Sequence, residues 1–359
     1  MSFVHFVSRR LSDFFPPPRY LEMPSVGLDI SDEVVRFVSL TRKHGYFEPG
    51  QFGSKEIPKD VIEEGYIKDK PGLTKILTAL RSENNLRFVR ASLPEDKAYL
   101  FKVQIPVMGE DDIRSAVQFK IEENAPVPIN EAIFDYRLIH HPKPGDTHLD
   151  VAVTVLHSKV IDSYLSVMKD AGLVPLKLRI ESQAIAHAVV PYGDPKTYLI
   201  VAVRETKTVV TIKSSEVIQY SSTIPVGGES IRKSIEKNFA VNESEAKNIQ
   251  QGKVIKDSNE MFQTLVNAAS VLRDEIQKLL TYWESHSDQD STRTVQGIIL
   301  TGSDVLIGLD KYLAASFTVP VSIANAWVNI LSPEEHLPPI NERDSLDFIP
   351  ALGLALPYD

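Results

Sequence analysis

Residue types that often carry out catalysis are present in this chain, but they are not arranged as a catalytic site. Ser230 and Lys233 stand three residues apart at the start of an apolar-periodic run, which is typical of an ordinary amphipathic helix. His140 and His141 are adjacent, so on a strand their side chains point to opposite faces and cannot share a metal ion. The chain has no cysteine, which excludes disulfides and thiolate metal ligands. We therefore predict neither a catalytic residue nor a metal site.

Composition predicts a globular protein that does not bind nucleic acid. The 359 residues suffice for two domains, and the 43% hydrophobic and 24% charged content is ordinary for folded proteins. A formal net charge of -9 disfavours contact with phosphate backbones. No apolar run approaches the ~20 residues that span a bilayer, and the run Phe3–Val7 is too short for a signal peptide. We expect the chain to stay in the cytosol.

A leader over residues 1–22 precedes the folded part of the chain. Residues 2–15 can form a helix with most apolar side chains on one face, and the prolines at 16–18 end it as a stiff linker. Two interpretations stay open. The segment either anchors the protein to a membrane surface or a partner, or is a disordered tail or a helix packed on its own domain.

The elements that must position any site alternate between strand pairs and helices. Two apolar stretches at 26–30 and 34–38, joined by a short polar turn, predict a hairpin. Residues 93–172 predict strand, helix, strand, strand and helix, which is a small α+β unit. Further strands are predicted at 197–203, 208–213, 217–224, 297–300 and 319–323. Helices are predicted from Gly227-Gly228 onward, at about 259–285 and at 305–317.

Four of these stretches, in this order, resemble the PilM family of type IV pilus assembly proteins, within the actin/Hsp70/FtsA superfamily. They are Gly27-Leu28-Asp29-Ile30-Ser31, the segment from Gln104 to Pro128, Ile224 to Ile231, and Leu300 to Val321. The resemblance implies an α/β, actin-like (ribonuclease H-like) two-lobed fold with an FtsA/PilM-type α+β insert. The implied divisions are a first lobe at 23–92, 173–196 and 340–359, an insert at 93–172, a second lobe at 197–226 and 291–339, and its helical insert at 227–290.

The same resemblance implies a cleft that can hold ATP and magnesium, but several of the expected residues are replaced. Glycines normally let the two hairpins approach the phosphates, and an aspartate at each hairpin organises the metal. Here Asp29 is present, yet the second hairpin carries Arg204 at a position where a glycine, which would leave room for the phosphates, is expected. The positions that correspond to the nucleotide site are Asp29, Ser31, Arg204, Gly227, Gly228, Lys247, Gln250, Gly302 and Ser303. These departures predict a degenerate site and no enzyme activity, with direct phosphate binding by Arg204 as the alternative.

For partners, the resemblance implies a short cytoplasmic tail of a PilN-like inner-membrane protein, held in a groove between the insert and the first lobe. The predicted role is a cytoplasmic scaffold at the inner face of the membrane, associated through this partner or through the leader. Candidate contacts are Val35, Phe37, Phe101, Val103, Phe119 and Pro126. The alternatives are an ATP-binding assembly factor, an FtsA-like division protein, and the cytoplasmic part of a GspL-type secretion protein. The last two would need a membrane segment that these 359 residues lack.

Overall fold

The computed structural model describes residues 25–43, 46–139, 145, 147–214, 217–252, 259–286, 294–331 and 339–357. The leader predicted at 1–22 and the histidine pair at 140 and 141 lie outside these ranges.

The first lobe is built on a five-stranded sheet with the strand order β10–β6–β1–β2–β3. Its strands are β1 (Val26–Ile30), β2 (Val34–Lys43), β3 (Tyr46–Glu56), β6 (Phe88–Leu93) and β10 (Val174–Ile180). The first three are antiparallel neighbours, whereas β6 and β10 add in parallel. A separate two-stranded ribbon pairs β4 (Ile62–Glu63) with β5 (Tyr66–Ile67).

The second lobe repeats this plan. Its sheet has the order β13–β12–β11–β14–β15, again with three antiparallel strands followed by two parallel ones. The strands are β11 (Thr197–Val203), β12 (Thr208–Ser214), β13 (Val217–Ile224), β14 (Gly297–Thr301) and β15 (Val321–Ile323). Because both lobes share strand order and direction, their opening hairpins occupy corresponding positions.

The insert carries a three-stranded antiparallel sheet with the order β7–β9–β8. Its strands are β7 (Ala98–Pro106), β8 (Ala132–Leu138) and β9 (His148–His157). The helix α2 (Glu110–Asn124) packs on this sheet through Ile113, Val117 and Ile121, which recur at helical spacing and form a separate apolar core with the strands.

The remaining helices cover the sheets and join the lobes. They are α1 (Lys70–Asn84), α3 (Ser158–Asp170), α4 (Glu181–Val189), α5 (Gly228–Phe239), α6 (Glu243–Gln250), α7 (Asn259–His286), α8 (Leu309–Ser316), α9 (Glu342–Ser345) and α10 (Ile349–Ala355). Helix α4 and helix α10 contribute Ile185 and Leu352 to an apolar cluster that also contains Ile200 of the second sheet. This cluster connects the lobes. Among the described residues, no helix has the length and apolar content needed to cross a membrane.

Several elements differ from the sequence-based expectations. Strands β6 and β10 and helices α4 and α6 were not predicted at all, and three further differences have a local cause. Strand β3 was not predicted, because Pro49 and two glycines interrupt its pattern at the sheet edge. Helix α3, which the sequence placed in the insert, packs its apolar face into the core of the first lobe. The helix predicted from Val305 begins at Leu309, because Val305 is enclosed in the second-lobe core and Gly308 at φ 77° precedes the first turn.

Candidate functional site in a cleft and an adjoining groove

The two opening hairpins meet in a cleft between the lobes. Asp29 is the fourth residue of β1, and Arg204 follows directly after β11. The guanidinium Nη2 of Arg204 donates to Asp29 Oδ2 at 3.4 Å, so the second hairpin reaches across to the first. Ser31 closes the β1–β2 turn itself, because its hydroxyl donates to the carbonyl oxygen of Val34 at 3.0 Å.

Arg204 is enclosed and forms ion pairs with two carboxylates of the first lobe. Its Nε lies 3.0 Å from Oε1 of Glu181, the first residue of α4, while its Nη2 contacts Asp29. The three residues are only 6%, 7% and 1% exposed for Arg204, Glu181 and Asp29. A buried charge persists only when it is paired, so this arrangement is a buried ion-pair bridge between the lobes.

The pKa values follow from one cation shared between two carboxylates. The pKa of Glu181 is raised to about 7, mainly by burial; Arg204 opposes this shift and the nearby charge of Asp29 adds to it. Burial by itself lowers the pKa of Arg204, but Glu181 and Asp29 outweigh it and raise that pKa above its ordinary range. Arg204 therefore stays charged, and its contact with Glu181 becomes a full ion pair as the pH rises through about 7.

A second arginine fills the second-lobe side of the cleft. Arg232 of α5 is 2% exposed, and its Nη1 donates to Asp304 Oδ1 at 2.6 Å and to Gln250 Oε1 at 3.1 Å. Its Nη2 pairs with Glu205 in the β11–β12 turn. Gln250 also donates to the backbone oxygen of Asp304 at 2.8 Å. All partners of Arg232 named here belong to the second lobe.

The start of α5, where a phosphate could bind, is already bonded within the protein. The backbone N–H groups of Gly228 and Glu229 donate to the carbonyl oxygens of Arg204 and Glu205, each at 2.8 Å. A Cβ at Gly227 would lie 2.4 Å from the backbone nitrogen of Lys207. The glycines thus let the β11–β12 turn pack onto the helix, and that turn takes the N–H donors that bind anions at a free helix N-terminus.

Gly302 and Ser303, two further positions that correspond to the nucleotide site, are equally close-packed. Gly302 has φ 106°, and a Cβ there would lie 2.1 Å from the carbonyl oxygen of Val203. The hydroxyl of Ser303 donates to Asp304 Oδ2 at 2.6 Å. Lys247 differs from the other predicted residues, because its side chain is exposed on α6. The residues present do not fit a magnesium–triphosphate group, since the expected donors and the carboxylate Asp29 already have protein partners.

Sequence reasoning missed four residues of this network, namely Glu181, Glu205, Arg232 and Asp304. Arg232 and Glu181 carried a usable signal. Arg232 follows Ile231 within a helical run, and Glu181 follows Ile180 at the junction of an apolar strand and an apolar helix. Such charges are buried only when a partner neutralises them.

A groove adjoins the cleft on the side of the insert. It encloses about 150 Å³ and runs between strand β8 of the insert and strand β10 of the first lobe. Both are edge strands of their sheets. Helix α4 forms the floor, and residues of β12 and β13 add a wall from the second lobe. The apolar and aromatic lining residues include Leu100, Tyr136, Leu178, Val190, Tyr192 and Ile218.

The six predicted partner contacts do not line this groove. Val35 and Phe37 are 0% and 1% exposed because they share the inward face of β2, so a role in contacting a partner has to be revised to core packing. Val103 is likewise buried, in the core of the insert. The other three are accessible to different degrees: Phe101 is half-buried, Pro126 is exposed, and Phe119 is 73% exposed on α2.

The fold places the chain among known structures. It is similar over 93% of its length to 98% of a chain in the PilM–PilN type IV pilus biogenesis complex, with a TM-score of 0.76 and 18% identity. It is similar over 95% of its length to 90% of the ethanolamine utilization protein EutJ from Carboxydothermus hydrogenoformans, with a TM-score of 0.53 and 16% identity. It is also similar over 92% of its length to 94% of MreB5 of Spiroplasma citri bound to AMPPNP, with a TM-score of 0.53 and 15% identity.

The duplicated sheets, the interlobe cleft and these neighbours define an actin-like protein, as the sequence predicted. A family model described as type IV pilus assembly protein PilM matches residues 27–358. The chain belongs to the PilM family.

Proposed function

We propose that this protein is a scaffold of the type IV pilus assembly machinery that holds a short tail of a PilN-like inner-membrane protein in the groove. Family membership supports a role in pilus assembly. The similar complex is named for PilM and PilN together, which supports a PilN-like partner. The observation that carries the proposal is the groove between two edge strands.

The shape of the lining favours an extended segment of the tail. Residues 135–137 of β8 and 177–179 of β10 all line the groove as consecutive triplets. Side chains alternate between the faces of a strand, so consecutive lining residues indicate that the groove reaches the edges of β8 and β10. Leu100 of β7 and Ala152 and Thr154 of β9 also line it, so it covers part of one face of the insert sheet as well. An edge strand offers backbone N–H and C=O groups to an added strand, and the apolar lining supplies pockets for alternate side chains.

The cleft supports a role without nucleotide turnover. A metal-bound triphosphate would have to displace Arg204 from Asp29 and Glu181, and the β11–β12 turn from the start of α5. Breaking a buried ion pair costs about 3–5 kcal/mol. A binding-only scaffold at the cytoplasmic face of the inner membrane, attached through its partner, is the function that we propose.

Titration of a labelled synthetic tail peptide, monitored by fluorescence anisotropy, tests this function. Leu178→Gln and Tyr192→Ala, which alter the groove lining, should each weaken the tail affinity by about tenfold, equivalent to about 1.4 kcal/mol. Leu176→Gln is the matched control, because Leu176 lies on the same strand, is 40% exposed and is not part of the lining. Equal effects of the leucine variants, or no binding of any PilN-like tail to the wild type, would reject the proposal.

A further inference from the structure

The groove has walls from three parts of the molecule. The insert and the first lobe supply the edge strands β8 and β10, and the second lobe supplies Lys213, Val217 and Ile218. Its width therefore depends on how the second lobe sits against the other two parts. Whatever fixes the lobes relative to one another also shapes the groove.

Helix α4 takes part in both the cleft and the groove. Its first residue, Glu181, pairs with Arg204 in the cleft, while Gln183 and His187 line the groove. A displacement of the start of this nine-residue helix moves the floor of the groove, because a helix is a stiff element.

A second set of contacts continues the connection into the insert. The backbone N–H of Ser182 donates to Glu95 Oε2 at 3.0 Å, and the hydroxyl of Ser221 on β13 donates to Glu95 Oε1 at 2.5 Å. The neighbouring Asp96 pairs with Lys207 of the β11–β12 turn. Glu95 and Asp96 lie in a short 3-10 turn that leads into β7, so the turn that carries Arg204 is also tied to the start of the insert.

From these contacts we infer that Arg204 is a positioning residue for the groove. Its guanidinium takes the place of a bound ligand between the lobes and holds the groove in a binding-competent form without a nucleotide. This inference rests on the proposed function, because it concerns the same groove. It adds that tail binding is coupled to one residue in the cleft that the tail does not contact.

Arg232 provides a matched control in the same cleft. Like Arg204 it is a buried arginine with carboxylate partners, but Glu205 and Asp304 both lie on its own lobe. Its replacement removes a buried ion pair without breaking the bridge between lobes. If replacement of Arg204 weakens tail binding and replacement of Arg232 does not, the loss comes from the broken bridge between the lobes and not from general destabilisation.

The test compares Arg204→Gln and Arg232→Gln in the full chain with two measurements. Tail affinity is measured by fluorescence anisotropy. The lobe-to-lobe distance is measured by pulsed electron–electron double resonance between two spin labels, attached at Lys75→Cys on α1 and Lys311→Cys on α8. Both positions are exposed and the chain has no other cysteine. If Arg204→Gln fails to fold, the double variant Arg204→Gln/Glu181→Gln is measured in its place, because it also removes one of the two carboxylates that the single variant leaves unpaired.

Arg204→Gln should weaken the tail affinity by about tenfold, since apparent affinity falls with the competent fraction, and should shift or broaden the lobe distance. Arg232→Gln should leave the tail affinity within about twofold of the wild type and the lobe distance unchanged, because its carboxylate partners Glu205 and Asp304 lie on its own lobe. An unchanged distance in the Arg204 variant, or equal losses of affinity in both variants, would overturn the inference. If the wild type binds no tail, the proposed function fails, and the distance measurement alone then decides whether Arg204 fixes the lobes.

Discussion

Glu181 should make the protein less stable at alkaline pH than at mildly acidic pH. Its carboxyl group is enclosed between Arg204 and Asp29, with Lys207 and Glu95 also close enough to act on its charge. Burial raises the pKa of Glu181 from 4.5 to about 7. The perturbation is Glu181→Gln, which keeps the shape of the side chain and removes its titration.

The direction of the pH dependence of stability follows from which state, folded or unfolded, binds the proton. Between the unfolded pKa of 4.5 and the folded pKa of about 7, the folded protein holds a proton that the unfolded chain has released. The contribution to the free energy of unfolding is therefore complete below the lower pKa and is lost as pH rises through the upper one. At about 1.4 kcal/mol for each pKa unit, the full loss is about 3 kcal/mol, most of it between pH 5 and 8.

Urea unfolding at pH 5 and pH 8 measures this effect. Burial also raises the pKa values of Glu33, Glu95 and Asp347, so the wild type alone does not isolate Glu181. The difference in the free energy of unfolding between the wild type and Glu181→Gln isolates the contribution of Glu181. The wild type should lose about 2–3 kcal/mol more than the variant over this range. Parallel pH dependences, or a wild type that gains stability relative to the variant, would refute the reasoning.

Two further predictions concern packing. Gly227→Ala should lower the free energy of unfolding by about 1–3 kcal/mol, since its Cβ would lie 2.4 Å from the backbone of Lys207. Gly109→Ala, whose Cβ would come no closer than 3.7 Å to a neighbour, should change it by less than about 0.5 kcal/mol. Phe37→Ala should cost about 3–5 kcal/mol in the same chemical unfolding assay, because this side chain is 1% exposed. Phe119→Ala, at a position 73% exposed, should cost less than about 0.5 kcal/mol. Equal values within either pair would contradict the packing described here.

Much of the fold could be predicted from local patterns. Alternation along β7 and β9 and the helical spacing of Ile113, Val117 and Ile121 specified elements that the structure contains. Strand β3 escaped because Pro49 and its glycines break the alternation, and its place is set by pairing with β2. A local pattern carries no information about such pairing partners.

The site was predictable only in part, because its residues come from elements that are far apart in the sequence. Arg204 in the second hairpin led to the prediction of a degenerate nucleotide site, but its partner Glu181 lies on another element and was not predicted. Val35 and Phe37 were chosen for their apolar character, which cannot distinguish a binding surface from a core. The resemblance implied a groove between the insert and the first lobe, but its lining residues were not predicted, because they come from separate strands whose meeting is a property of the tertiary fold.

The central claim is that the arginine bridge occupies the place of a nucleotide, and calorimetric titration with magnesium and ATP tests it most directly. Displacing Arg204 from both carboxylates would cost about 4 kcal/mol, enough to turn a micromolar affinity into a millimolar one. We predict no measurable binding at micromolar protein concentration. A saturable isotherm with a micromolar Kd would contradict the claim.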